Sequence, residues 1–324
     1  AQGEFEKVLE ISSTGLTPDA EAQLLATQAF AALAEGDSWS AEELIDKALE
    51  KSPDSAQALL ASALLLASRN DIDAASDTVD RIISLDPTRG RAWSLRGDIL
   101  ASRQDLAGAL AAYDQAIELR QNNFADLFKR AGLKLQQGDF AAAQADVDTM
   151  LAKSAQHPAP NYIQGLLHYQ AGRYEEAISS LSTTEPAFDQ YPLALFFLAS
   201  AQLQQGNMNQ AASVAARFHN LQPDNVQGRK LLATIRLQEG KNADVQSLLQ
   251  PVLDSDPDDI DALNLTANAL LRDGKTNEGI ELLSRVAELQ PDSSAAQVRL
   301  GAGLLMGGQG DAAAKPMETA LELD

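Results

Sequence analysis

The chain has 324 residues, 45% apolar and 5% aromatic, with 25 Lys and Arg against 46 Asp and Glu and a formal net charge of −21. So acidic a chain lacks the cations that displace counterions from phosphates, which excludes nucleic acid as a partner and argues against an anionic membrane surface. It holds no cysteine, which excludes disulfides and thiolate metal sites, and no apolar run approaches the ~18 residues that span a bilayer.

Residues 1–21 read as the second half of a helical hairpin, with Phe5, Val8 and Leu9 apolar and a loop from Ser12 to Pro18. From residue 22 onward a period of 34 governs the chain: Pro-Asp recurs at Pro223-Asp224, Pro257-Asp258 and Pro291-Asp292, and the same step backwards reaches Pro87 and Pro53. Units therefore start at 22, 56, 90, 124, 158, 192, 226, 260 and 294, the last incomplete. Neither end carries the polar face that caps a repeat array, so the chain reads as a fragment of a longer one.

Within each unit the proline stops one helix, because it lacks an N–H and clashes with the preceding turn. The Asp after it (Asp54, Asp224, Asp258, Asp292) is placed to cap the next helix, helix A. A glycine in the left-handed conformation ends helix A at Gly36, Gly138, Gly172, Gly206, Gly240 and Gly274. Helix B then returns antiparallel. Small residues mark the crossings, as at Ala63, Gly97 and Ala131 on helix A and Ala75, Ala109 and Ala143 on helix B. Large residues, Trp93 and Tyr113 included, read as core. The proline place is Gln121, Ala155 and Asp189 in the middle units, and helix boundaries near 155–162 and 184–193 are expected to shift.

This register resembles the tetratricopeptide-repeat superfamily over nearly the whole chain, most specifically from Tyr162-Ile163-Gln164-Gly165 to Ala177. The resemblance implies an all-α fold, a right-handed superhelical solenoid of helix-turn-helix repeats whose A helices line a concave groove. One groove-facing column then holds Phe128, Tyr162 and Phe196 in consecutive units, with Tyr169 and Phe197 nearby by register. Large apolar residues exposed together mark a contact site; the alternative is that these rings fill the space between repeats. Further on, the column and its neighbours turn polar and basic, with Lys230, Asn264, Asn268, Arg272 and Arg299. That stretch suits an anionic or carboxylate end, or is scattered surface charge. A second column, Gln136, Gln170, Gln204 and Gln238, reads as the solvated end of helix A. Chaperone-adaptor members clamp peptides with a Lys/Asn/Asn/Lys/Arg set. Here only Lys230 and Arg299 match it, and Thr234, Leu265 and Ala295 do not.

No catalytic constellation is legible. His157, His168 and His219 have no metal-ligand spacing. The run Asp254 to Asp261 lacks the glycine of a calcium loop and is interrupted by Pro257. No cofactor and no metal are expected. A narrower resemblance, to the repeat lipoproteins of the PEP-CTERM/exosortase system, rests on His157-Pro158 through Gly172, on Arg229-Lys230-Leu231-Leu232-Ala233 with Leu237, and on Leu249-Gln250-Pro251-Val252-Leu253. It implies a bacterial extracytoplasmic protein, periplasmic or lipid-anchored, associated with exopolysaccharide genes, while a cytoplasmic location stays open. The expected function is a non-enzymatic scaffold binding a protein or peptide in its groove. The alternative is a carbohydrate-facing module of an exopolysaccharide assembly or export complex.

Overall fold

The computed structural model describes residues 15–120 and 123–323. Phe5, Val8 and Leu9, the start of the first loop and Gln121 lie outside them. Among the described residues the chain is all helix, with no strand. It divides into two compact bodies, 1–153 and 154–324. The first holds α1 (Pro18–Glu35), α2 (Ser38–Lys51), α3 (Ala56–Ser68), α4 (Ile72–Leu85), α5 (Gly90–Ser102), α6 (Leu106–Leu119), α7 (Phe124–Gln136) and α8 (Phe140–Lys153). The second holds α9 (Pro158–Gln170), α10 (Tyr174–Ser182), α11 (Leu193–Gln204), α12 (Met208–Leu221), α13 (Val226–Gln238), α14 (Asn242–Ser255), α15 (Ile260–Arg272), α16 (Thr276–Leu289), α17 (Ser294–Met306) and α18 (Gly310–Leu323). Odd-numbered helices are the A helices, even-numbered the B helices. The unit from residue 294 contains both helices, and α1 begins at Pro18 behind its cap Thr17.

The inter-repeat proline acts through the residue before it. Ser52, Asp86 and Asp256 are extended, with φ −145°, −148° and −133°, because a following proline disfavours the helical region. Pro and Asp then form the middle of a turn closed by Ser55 N–H to the Ser52 carbonyl at 3.0 Å, and by Asp259 N–H to the Asp256 carbonyl at 3.2 Å. This corrects the capping expectation by one residue. Ser55, Asn225, Asp259 and Ser293 are the caps, accepting from the N–H of Ala58, Gly228, Ala262 and Ala296 at 3.4, 2.8, 2.9 and 3.2 Å. The turn needs two central residues, so the cap falls on the third. Asp54 and Asp258, released from capping, pair with Arg81 at 2.7 Å and Arg285 at 2.9 Å.

Between A and B the six expected glycines all have positive φ, from 70° to 79°. Gly308 (69°), Asn70 and Gln104 (both 62°) take the same register place. Asp37 N–H reaching back to the Ala32 carbonyl at 2.9 Å closes the first such turn. The crossing residues are buried: Ala63, Ala75, Ala109, Ala131 and Ala143 are all 0% exposed. At Gly97 a Cβ would stand 2.5 Å from the Tyr113 ring, so the large side chain on helix B dictates glycine on helix A. Trp93 corrects the core reading. It is half-buried, its Nε1 donating to the Pro87 carbonyl at 2.8 Å, with the Arg96 guanidinium 5.6 Å above its ring.

Of the two irregular regions only one shifts. α9 starts on register at Pro158, where His157 Nδ1 accepts from Ala159 N–H at 3.2 Å. α10 has nine residues where other B helices have 14, is followed by a 3-10 turn at Glu185–Ala187, and α11 starts one residue late. Successive A helices also touch one another, α1 to α3 to α5 in the first body and α9 to α11 to α13 to α15 in the second. Each body therefore has an A-helix face.

Candidate functional site

On the A-helix face of the second body a groove of about 600 Å³ runs across α11, α13, α15 and α17. Eight of its twelve lining residues come from three register columns: Phe196, Lys230 and Asn264; Leu231, Leu265 and Arg299; Thr234 and Asn268. Within one helix these places are i, i+1 and i+4, which share a helical face. Five of the ten sequence-predicted residues, Phe196, Lys230, Asn264, Asn268 and Arg299, thus line one groove.

The groove is not the basic patch that the residue types suggest. Lys230 Nζ lies 2.6 Å from Asp259 and 3.3 Å from Asp261. Burial pushes the Lys230 pKa down, but those two carboxylates outweigh it and the ammonium is held above its ordinary value. Burial likewise acts to raise Asp259, and the bonds from Lys230 and Ala262 N–H outweigh it, holding the carboxyl below its ordinary value. Arg272 donates to the Leu237 carbonyl. Arg299 is exposed and makes no ion pair among the described residues. Asn264 Nδ2 donates to the Ile260 carbonyl at 2.9 Å, while its Oδ1 is shielded and has no partner. Asp261, Thr234 and the apolar pair Leu231 and Leu265 were missed from sequence. The signal was there, since they stand in columns already singled out or beside them.

The aromatic residues fall differently. In the second body Tyr169 meets Phe197 edge-on at 5.2 Å, Phe197 meets Phe196 at 5.3 Å, and Phe196 meets the buried Phe218 at 5.7 Å. Tyr162 stacks on Tyr191 at 5.2 Å. All four predicted rings of this body are half-buried against one apolar cluster. Phe196 is the one that also lines the groove. Phe128 is half-buried on α7 in the first body. Gln136, Gln170, Gln204 and Gln238 are the exposed last residues of their A helices.

In the Asp254 to Asp261 run, Asp258 pairs with Arg285, and Asp259 both caps α15 and pairs with Lys230. No group of three or more His, Cys, Asp or Glu able to hold a metal is found among the described residues. His168 Nε2 faces Gln164 Nε2 at 2.7 Å. No described helix is long and apolar enough to cross a membrane.

Models of the tetratricopeptide repeat match residues 32–99 and 202–269, residues 128–192 and 265–324, and residues 90–123. Among solved structures the chain is similar to one in the crystal structure of the APC/C hetero-tetramer Cut9-Hcn1. The identity is 17%, the TM-score 0.70, and the match covers 83% of this chain and 52% of that one, so this chain spans about half its length. It is also similar to PilF of Pseudomonas aeruginosa (18% identity, TM-score 0.61, 67% of this chain and 99% of that one). PilW, a type IV pilus biogenesis factor, follows at 18% identity and a TM-score of 0.56, covering 65% of this chain and 98% of that one. No curated protein matches the sequence.

Proposed function

The chain belongs to the tetratricopeptide-repeat family, and from that premise we propose that it is a non-enzymatic scaffold that captures a segment of a protein partner in the groove across α11, α13, α15 and α17. The observation that carries this reading is the convergence of three helical columns on one groove, with an apolar floor at Leu231 and Leu265 and polar groups at Asn264, Asn268 and Arg299. An extended peptide offers main-chain donors and acceptors to such amides and seats side chains on such a floor. Asn264 Oδ1, shielded and without a partner, is an acceptor that a peptide N–H satisfies. Arg299 and the balanced Lys230 pair favour a segment with a single acidic residue over a strongly anionic one.

The peptide reading is preferred over carbohydrate because stacking on a sugar needs a free ring face. The rings nearest the groove contact one another instead, Phe196 with Phe197 and Phe218, and Phe197 with Tyr169. Tyr162, in the same body as the groove, extends the proposal to a further anchor. The envelope and exopolysaccharide setting, with a lipid anchor, is proposed on the narrower sequence resemblance; palmitate labelling of the native protein tests it.

The test of the groove is affinity for peptides selected by display on the full chain. Asn268→Ala with Arg299→Ala is expected to weaken binding by about tenfold or more, with the helical circular dichroism unchanged. Gln136→Ala is expected to have no effect, and Tyr162→Ala a larger one than Gln136→Ala. Full affinity in the Asn268/Arg299 variant overturns the groove as the site.

A further inference from the structure

A second cavity, of about 320 Å³, opens where the repeat pattern breaks. α10 stops at Ser182 after nine residues, whereas α12 and the other B helices run for 14. The missing turns are replaced by the 3-10 segment Glu185–Ala187, and the space they would fill stays open against α11 and α12. Phe188, Leu195 and Leu198 form its walls, at 4%, 0% and 4% exposure. Val214 lies beside them, and Glu185 and Arg217 stand at the mouth. None of these residues lines the groove described above.

One polar side chain lines this cavity without a partner. Gln202 is 8% exposed, and its Oε1 is shielded from water with no hydrogen bond. The 34-residue register shows why. The equivalent place one repeat earlier is His168 and two earlier Lys134; one repeat later it is Arg236. Lys134 finds Asp146 at 2.9 Å, twelve residues on. His168 finds Ser180, again twelve residues on, at 3.5 Å. Arg236 finds Glu239 at 2.6 Å. The residue twelve beyond Gln202 is Val214, which offers no polar atom. A buried carboxamide oxygen with no donor is destabilising, so this repeat retains a polar group that its own fold does not satisfy. Gln202 Oε1 is shielded as it stands, and meeting a donor in the cavity takes a rotation about the last glutamine torsion, which is broad and two-fold.

We propose that this cavity receives the indole of a tryptophan displayed by a protein partner, its N–H donating to Gln202 Oε1 and its rings lying against Phe188, Leu195 and Leu198. The chemistry selects that occupant. Phe188, Leu195 and Leu198 make one wall apolar and partly aromatic, Ser182 and Ser213 add hydroxyls to the lining, the buried group without a partner is an acceptor, and an indole joins a large apolar body to a single N–H donor. At the mouth Glu185 and Arg217 stand 3.5 Å apart with side chains 70% and 49% exposed, a loose pair free to meet charges flanking the tryptophan. The Arg217 guanidinium already lies 4.9 Å over the Phe188 ring and extends the aromatic wall.

The experiment is an NMR titration of the full chain with indole, and with indene, which has the same shape but no N–H. Indole is expected to move the Gln202 side-chain amide and the Val214 methyl signals and to bind about tenfold more tightly than indene. Gln202→Leu is expected to abolish that preference while keeping the helical spectrum. Val214→Thr, which supplies an internal hydroxyl beside Gln202, is expected to weaken indole alone. Absence of shifts at saturating indole, equal binding of indole and indene, or an indole preference that survives Gln202→Leu overturns the proposal. Because the groove variants Asn268→Ala and Arg299→Ala lie outside this cavity, they leave the indole titration unchanged, and the two sites stand or fall separately.

Discussion

Gln104 occupies a place that seven repeats give to glycine, with φ at 62°. The left-handed region costs a residue with a Cβ about 1–2 kcal/mol, partly offset by the larger unfolded-state entropy of glycine. Gln104→Gly is therefore expected to stabilise by about 0.5–1 kcal/mol, read as a rise in the urea midpoint; an unchanged or lower midpoint contradicts the strain. Asn70 has the same φ but is the residue type that tolerates it best. The same attention to single atoms distinguishes Lys230 from Arg299. Both are cations on the groove, yet Lys230 is bound to Asp259 and Asp261, and Arg299 alone has charge to offer.

At the scale of helices the two bodies start their B helices differently. In the first, Asp37, Asp71, Asp105 and Asp139 each accept from the backbone N–H three residues on, at 3.0, 3.3, 2.9 and 3.0 Å. In the second, Arg173, Asn207, Lys241 and Lys275 hold that place and make no capping bond. A lysine there also sets positive charge against the positive end of the helix dipole. Lys275→Asp is expected to add about 1 kcal/mol of stability, measured by thermal unfolding; a fall in the midpoint counts against this account. The same reasoning covers α10. Its early end creates the cavity beside Gln202, and Pro186, within the span a 14-residue helix would occupy, is the sequence signal for the shift expected near 184–193.

At the scale of the molecule, repeat arrays are held by contacts between neighbours, and each body has its own run of packed hairpins. Residues 154–324 expressed alone are expected to fold, with a helical spectrum and a cooperative thermal transition. A non-cooperative melt contradicts the division at Lys153. What the sequence determined by itself was everything periodic. The turn prolines, the left-handed glycines and the buried alanines repeat every 34 residues because each repeat presents the same local backbone problem, and local problems are legible in local residues. The columns that converge on the groove were legible for the same reason. Tertiary structure alone decided what depends on neighbours in space. It turned Lys230 from a free cation into an ion pair, drew Tyr162, Tyr169 and Phe197 into packing among themselves and their neighbours, and left Gln202 without the partner that Lys134, His168 and Arg236 have at the same register place. Each of those outcomes is set by which side chain lies across a helix boundary, and a spacing along the chain specifies where a residue stands but not what it meets.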